Sequence, residues 1–191
     1  MDVTVLHRRT VAHWQRALAA VGPDDWSRVT PCADWDVRSL VNHVVGEELW
    51  TVPLVEGLTI EDVGGRFDGD VLGDEPVRRG VASALAAVAA VDRYAPLGGK
   101  VRLSYGEEDI GEYVLQLCAD HLVHGWDLAV AVGADARMDE ELVLAVSAWF
   151  AGREELYRSA GVVGPRPDAG AGAGTDLLAA FGRDAGWTAT P

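Results

Sequence analysis

Apolar residues recur every three or four positions along four long stretches of this chain, and this spacing constrains the fold more than any other feature. The first stretch runs from Val3 to about Val21 and is followed by Gly22 and Pro23. Such spacing places the apolar side chains on one face of an α-helix, which must be buried against other elements. Because Gly followed by Pro is a typical helix stop, the sequence predicts a first amphipathic helix here.

The second and third stretches have similarly clear boundaries. Asp36 can cap a second helix, because an Asp side chain accepts hydrogen bonds from the exposed amides of a helix start. We predict that this helix ends before Pro53, since proline disrupts a helix interior. Pro76 suits the first turn of a third helix, which reaches a break at residues 96–99. Between these helices, residues 56–74 are rich in Gly and Asp, and we expect a long irregular loop.

The fourth stretch is the longest, and it carries the residue types best suited to chemistry. It runs from about Asp109 to Val132, where Gly133 suits the carboxyl end of a helix. Asp139 then caps a fifth predicted helix, which we expect to continue to Leu156. Both boundaries follow the general preference for Asp before a helix and Gly after one.

The remaining segments are short. Residues 101–105 alternate apolar and polar side chains, but so short an extended piece does not establish a sheet. Residues 175–181 predict a short helix after an irregular tail that starts near residue 162. Long helices without a convincing strand predict an all-α fold, a four-helix bundle with an additional short C-terminal helix. For a length of 191 residues, we expect a single domain over residues 1–191.

Charge and hydropathy argue against two classes of partner. The chain has 30 acidic and 16 basic residues, and its net charge of −14 repels the phosphates of nucleic acids and of anionic membranes. It has no run near the roughly 20 apolar residues of a membrane span, and its amino terminus lacks the apolar core of a signal peptide. We therefore expect a cytoplasmic protein. Cys32 and Cys118 lack the number and spacing of a disulfide framework or a thiolate metal cage.

Asp120 and His124 are separated by four positions on the predicted fourth helix. Their side chains therefore lie about one turn apart on the same face and can hold one ion between them. By spacing alone, an exposed Asp and His pair without an ion is the more common case. The surrounding residues 114–132 are mostly apolar, however, and a carboxylate and an imidazole buried there need a polar partner. A metal ion would be such a partner.

A third ligand would have to come from another helix. His43 lies beside the apolar stripe of the predicted second helix, and with Asp120 and His124 it would complete a site of three protein ligands and an open position. A lone His at such a place is more often a hydrogen-bonded core residue, and spacing does not show that the helices meet. His121 is a competing ligand, although it is rotated about 100° around the helix from Asp120.

Three segments of the chain resemble the signatures of one protein family. They are TPCADWDVRSLVNH at residues 30–43, DHLVHGWDLA at residues 120–129 and DLLAAFGRD at residues 176–184. In this order and separation they resemble the DinB-like superfamily, in particular the actinobacterial branch related to the mycothiol-dependent maleylpyruvate isomerase. The resemblance extends over nearly the whole chain.

This resemblance implies a DinB-like bundle that binds one divalent metal ion through a His, an acidic residue and a second His. The matching positions are His43, Asp120 and His124, whereas His121 lies outside the ligand positions. Asp127 matches a further acidic residue of the signature, which would orient an imidazole or connect to a neighbouring helix. Zinc is the expected ion, with nickel and iron as alternatives.

The resemblance also implies chemistry between a small-molecule thiol and a small electrophilic substrate. We expect a metal-dependent enzyme that activates mycothiol or a similar low-molecular-weight thiol for transfer to, or isomerisation of, the electrophile. The isomerase has Glu at the position of Asp120 and a second, C-terminal domain at its active site, so we do not expect maleylpyruvate as substrate. A non-catalytic metal-binding or interaction bundle, or a bundle without metal, is the alternative. The sequence assigns no catalytic residue beyond the ligands, and a homodimer is one alternative for the oligomeric state.

Overall fold

The structure, a computed structural model, describes residues 1–33 and 35–188, so that Asp34 of the first motif and residues 189–191 lie outside it. Two 3₁₀ turns cover Gly64–Phe67 and Ala95–Leu97, and a hairpin pairs β1 (Lys100–Leu103) with β2 (Gly106–Asp109). The helices in chain order are α1 (Val3–Leu18), α2 (Val37–Val55), α3 (Ile60–Val63), α4 (Pro76–Tyr94), α5 (Ile110–Val132), α6 (Glu140–Phe150), α7 (Glu154–Ser159) and α8 (Ala173–Ala180).

The four longest helices form a closed bundle. α1 packs against α5 and α4, and α2 packs against α4 and α5, while α6 packs against α8 and α5. The inner faces contribute side chains with almost no exposed surface, among them Trp14, Leu40, Leu122 and Leu128. Burying one Leu of this kind stabilises a fold by about 1.5–3 kcal/mol. The predicted all-α fold, a four-helix bundle with an additional short C-terminal helix, is confirmed, and it places α2 beside α5.

The described helix boundaries follow the capping residues of the sequence. Asp36 accepts a hydrogen bond from the amide of Ser39 at 2.8 Å, and Asp139 accepts one from the amide of Glu141 at 2.9 Å. Gly133 ends α5 with φ of 74°, a left-handed conformation that favours glycine. Among the described residues, no helix is both long and apolar enough to cross a membrane.

Two of the predicted helix boundaries were wrong, and one predicted loop contains short helical segments. α2 continues through Pro53 to Val55, because proline removes one amide donor near the helix end while Pro53, Leu54 and Val55 are all buried. The fifth predicted helix is interrupted after Phe150, and α7 begins separately at Glu154. The region of residues 56–74, predicted as an irregular loop, contains α3 and the first 3₁₀ turn.

The extended piece that did not establish a sheet by its sequence is part of a two-stranded one. β1 pairs antiparallel with β2, with Lys100 opposite Asp109 and Leu103 opposite Gly106. β2 has the sequence GEED, which lacks the apolar and polar alternation that indicates a strand. The hairpin places Tyr105 at its tip, where the side chain is largely exposed.

α1 and α5 lie close to each other at Gly125. A Cβ atom built there would lie 2.5 Å from Cδ2 of His13 and 3.4 Å from the Cα of Trp14. Since His13 is itself buried and the Trp14 atom belongs to the backbone, neither neighbour can move away easily. Glycine at this position, which directly follows the metal-capable residue His124, therefore permits the close contact between the two helices.

We expect Gly125→Ala to lower the free energy of unfolding by about 1–3 kcal/mol, because the added methyl group overpacks the α1–α5 contact. Gly46→Ala is the matched control, since a Cβ at this position in α2 meets no atom within 4 Å. The control should raise the free energy of unfolding by up to about 1 kcal/mol, as alanine favours the helix. Urea unfolding of both variants measures the difference, and equal effects would contradict the close contact.

Candidate metal centre

The structure brings His43, Asp120 and His124 together between α2 and α5. One ligand-capable atom of each residue lies within 4.8 Å of those of the other two. Nε2 of His43 lies 3.9 Å from Oδ2 of Asp120, which is too long for a hydrogen bond. Two atoms that bind one tetrahedral ion at about 2.0–2.2 Å are about 3.3–3.6 Å apart, so the distance between His43 and Asp120 is slightly longer than the distance between two ligands of one ion.

The ring of His124 has a fixed orientation. Its Nδ1 lies 3.0 Å from Oδ2 of Asp127, which is fully buried. A carboxylate at this distance accepts a hydrogen bond from the N–H of Nδ1, so that Nε2 keeps its lone pair for an ion. Histidine ligands of metal ions usually donate their second ring N–H to a carboxylate or carbonyl oxygen in this way. The sequence offered two roles for Asp127, and its contact with the imidazole of His124 agrees with the first of them, the orientation of an imidazole.

Asp127 is in turn held by Arg183, which follows α8. Nε of Arg183 lies 3.1 Å from Oδ1 of Asp127, and Nη2 lies 3.0 Å from Oδ2. Nη1 of Arg183 donates to the backbone oxygen of Phe181 at 2.9 Å. Such a two-point contact between guanidinium and carboxylate is strong and directional. The segment after α8 therefore supports the orientation of His124 through one intermediate residue.

The environment of His43 favours its neutral form. Burial lowers the pKa of His43, while the nearby Asp120 opposes this shift in part. A neutral imidazole is the form that binds a metal ion. The ring of Trp35 lies 4.7 Å from that of His43 and 5.8 Å from that of His124, and it covers both imidazoles from one side.

His121, the competing ligand, points into a different part of the core. Its Nδ1 lies 2.6 Å from the backbone oxygen of Leu117, and its Nε2 lies 3.2 Å from Oε1 of Glu48. Glu48 also accepts a 2.5 Å hydrogen bond from the hydroxyl of Ser83. Both ring nitrogens of His121 are therefore engaged in a buried polar network. This arrangement supports ranking His124 above His121 as a ligand.

The donor set suits a divalent transition metal. Two imidazole nitrogens and one carboxylate are typical ligands of catalytic zinc, which keeps a further position open. Cys32, His124 and Asp127 form a second group of the same compactness. In that group the carboxylate of Asp127 already binds Arg183 and the Nδ1 side of His124. The set of His43, Asp120 and His124 does not include Asp127, so its carboxylate is not already bound to Arg183.

A cavity of about 340 Å³ adjoins the candidate metal centre, and Asp120 forms part of its wall. Glu47, one turn beyond His43 on α2, lines the same cavity. Burial raises the pKa of Glu47 to about 7, and the charge of Asp120 adds to this effect. Glu47 is thus able to exchange a proton near neutral pH. Sequence reasoning assigned no role to Glu47, although its four-residue spacing from His43 was a usable signal.

Comparison with known proteins gives consistent matches. The family model of the mycothiol maleylpyruvate isomerase N-terminal domain matches residues 7–129. Two uncharacterized proteins from two strains of Mycobacterium tuberculosis are each 31% identical over 173 residues, which cover 87% of this chain and 82% of theirs. The crystal structure of the mycothiol-dependent maleylpyruvate isomerase has a TM-score of 0.63 at 17% identity, and that of a mutant has 0.64 at 16%. Both structural matches cover 87% of this chain and 75% of the other, and at these identities they show the fold alone.

Proposed function

This chain belongs to the family of mycothiol maleylpyruvate isomerase N-terminal domains, and we propose that it is a metal-dependent enzyme acting on a thiol and a small electrophile. The thiol is of low molecular weight, and mycothiol, which the family name contains, is the first candidate. The observation that carries the proposal is the convergence of His43, Asp120 and His124 beside a cavity. Zinc suits this donor set best, with nickel or iron as alternatives.

Each residue around the candidate metal centre would have a separate role in this reaction. His43, Asp120 and His124 would hold the ion, which when bound favours the thiolate form of a thiol near neutral pH. Asp127 keeps the proton of His124 on Nδ1, so that Nε2 is directed to the ion. Covering by Trp35 reduces the access of water to both imidazoles.

Glu47 would transfer the proton. Its carboxylate takes the proton from the thiol, and the sulfur then forms a bond to the electrophilic carbon of the substrate. The carboxyl group of Glu47 returns this proton to the atom of the substrate that gains the electron pair, so no oxidation or reduction takes place. Glu47 is suited to this role because it lines the cavity together with Asp120.

Metal content is the first test. We expect His43→Ala and His124→Ala to lower the metal content of protein purified without an affinity tag by about tenfold or more, since each removes one of three ligands. His121→Ala should retain most of the metal, because both nitrogens of His121 bind other groups. Elemental analysis measures the content, and circular dichroism checks that each variant is folded. Equal loss in all three variants would contradict the proposed ligand set.

Turnover is the second test. The holo-protein should accelerate the addition of mycothiol to a panel of small electrophiles, and it should not act on maleylpyruvate. A His124→Ala variant that matches the parent on every electrophile would favour the alternative, a metal-binding or interaction bundle without catalysis. Isomerisation of maleylpyruvate would instead contradict the substrate prediction.

The single domain, the cytoplasmic location and the homodimer stay predictions.

A further inference from the structure

The part of α4 between Arg79 and Asp92 is apolar on all of its sides. Residues 80–91 contain no charged residue, and their one polar side chain, Ser83, is buried and donates a hydrogen bond to Glu48. A helix at the surface of a globular protein normally has polar residues on its outer side, whereas a helix that is apolar all round is normally covered on every side. The exposed side of α4 therefore has the composition of a contact surface.

Only one side of α4 is covered within the described part of the chain. The inner side packs against α2 and α1. On the opposite side Leu85 is 67% exposed, and Val81, about one turn before it, is 41% exposed. The short side chains around these two residues allow another helix to approach closely. We call this surface the outer face of α4, and it consists of Val81, Ala82, Leu85, Ala86 and Ala89.

Opposite charges stand at the two ends of the outer face, at equal distances from its centre. Arg78 is seven positions before Leu85, and Asp92 is seven positions after it. Since seven residues are about two helical turns, the three side chains lie near one line along the helix. In an antiparallel pair of α4 helices with a two-fold axis at Leu85, Arg78 of each copy faces Asp92 of the other. Val81 then faces Ala89, so that a larger apolar side chain meets a smaller one.

The present partners of these two charged residues leave room for the contact. Arg78 forms an ion pair with Glu75 in which the side chains are 79% and 62% exposed, and a pair so exposed contributes little stability. Oδ2 of Asp92 accepts a hydrogen bond from Arg8 of α1 at 3.0 Å, and the side chain is partly exposed. An ionised carboxylate has lone pairs for more than one guanidinium group. Arg78 can therefore face Asp92 of a second copy at little cost.

We propose that the outer face of α4 is the contact surface of a homodimer, in which two α4 helices pack antiparallel about a two-fold axis at Leu85. The end charges fit a second copy in this direction, whereas a parallel pair would place Arg78 beside Arg78. Because one pair of helices makes a small interface, the association is reversible, with a dissociation constant in the micromolar range. α4 contributes no residue to the described lining of the cavity beside Asp120, so the inference is independent of the proposed function.

Sedimentation equilibrium of the full chain tests the dimer. At an ionic strength of about 0.15 M, which screens the net charge of the copies, we expect monomers at about 1 µM and dimers at about 500 µM. Leu85→Glu should weaken the association by about tenfold or more, because it places two carboxylates against each other at the axis. Leu144→Glu, the same change at an exposed position of α6, should leave the dissociation constant unchanged. A parent that stays monomeric over this range, or equal effects of the two variants, would overturn the inference.

Charge reversal tests the direction of the two helices. Arg78→Asp places a carboxylate opposite Asp92 at both ends of the dimer, and Asp92→Arg places a guanidinium opposite Arg78. Each variant alone should therefore associate about tenfold more weakly than the parent.

An equimolar mixture of the two charge-reversed variants should associate about as strongly as the parent. In the mixed dimer the new carboxylate of one copy faces the new guanidinium of the other, and the unchanged Asp92 faces the unchanged Arg78. Circular dichroism checks the fold, since Asp92→Arg also removes the contact with Arg8. A mixture that associates no more strongly than either variant alone would overturn the antiparallel arrangement.

Discussion

Arg183→Ala is expected to lower the free energy of unfolding by about 3–5 kcal/mol, because it leaves the buried carboxylate of Asp127 without its cation. Asp127 is fully buried, and the side chain of Arg183 is only 12% exposed, so water cannot replace the lost partner easily. The orientation of His124 depends on the same carboxylate. We therefore also expect the affinity for a divalent metal to fall by about 10–100-fold.

Arg137→Ala is the matched control for this variant. Arg137 forms an ion pair of similar length with Asp135, but the two side chains are 90% and 61% exposed. An exposed pair of this kind contributes about 0–1 kcal/mol. Urea unfolding gives the stability of both variants, and competition with a chelator gives the metal affinity. A loss below about 1 kcal/mol in Arg183→Ala would contradict the importance of the Asp127 contact.

The helices of this bundle could be predicted because their signals are local. The spacing of apolar side chains and caps such as Asp36 and Gly133 act within a few residues of the chain. The neighbouring positions of Asp120 and His124 follow from helix geometry in the same way. The hairpin was missed because β2 consists of Gly and acidic residues, whose pairing depends on the approach of β1 and not on their own pattern.

The remainder of the site depends on contacts between distant parts of the chain. That His43 meets the pair on α5 was inferred only from the resemblance, because no local rule fixes which faces of two helices oppose each other. The contact between Arg183 and Asp127 joins positions 56 residues apart, and Tyr157 and Phe181 reach the cavity from beyond α6. Such contacts are decided by the packing of the whole bundle, so a single sequence contains no direct sign of them.

Acidification is the second condition under which we expect a large effect, and two buried histidines of α1 are the cause. His7 has no exposed surface, and neither of its ring nitrogens has a hydrogen-bond partner among the described residues. Burial lowers the pKa of His7 to about 3. His13 is 3% exposed, and burial together with the charge of Arg16 lowers its pKa to about 4.

The sign of the effect follows from the protons that each state binds. Above pH 6.5, the pKa of an unperturbed His, both rings are neutral in the folded and unfolded chain and contribute no pH dependence. Below that pH the unfolded chain takes up protons that the folded chain does not, so the free energy of unfolding falls. For His7 the fall continues until about pH 3 and for His13 until about pH 4. At pH 5 each ring accounts for a loss of about 2 kcal/mol.

The variant His7→Leu separates this effect from all others that change with pH. An apolar side chain of similar size suits the site, so we expect little change in stability at pH 8. At pH 5 the variant should be more stable than the parent by about 2 kcal/mol, because one of the two titrating rings has been removed. Loss of metal or titration of carboxylates affects both proteins, and the comparison at each pH cancels it. Urea unfolding at pH 8, 7, 6 and 5 provides the measurement, and equal losses in the variant and the parent would show that His7 is protonated in the folded protein or is hydrated there.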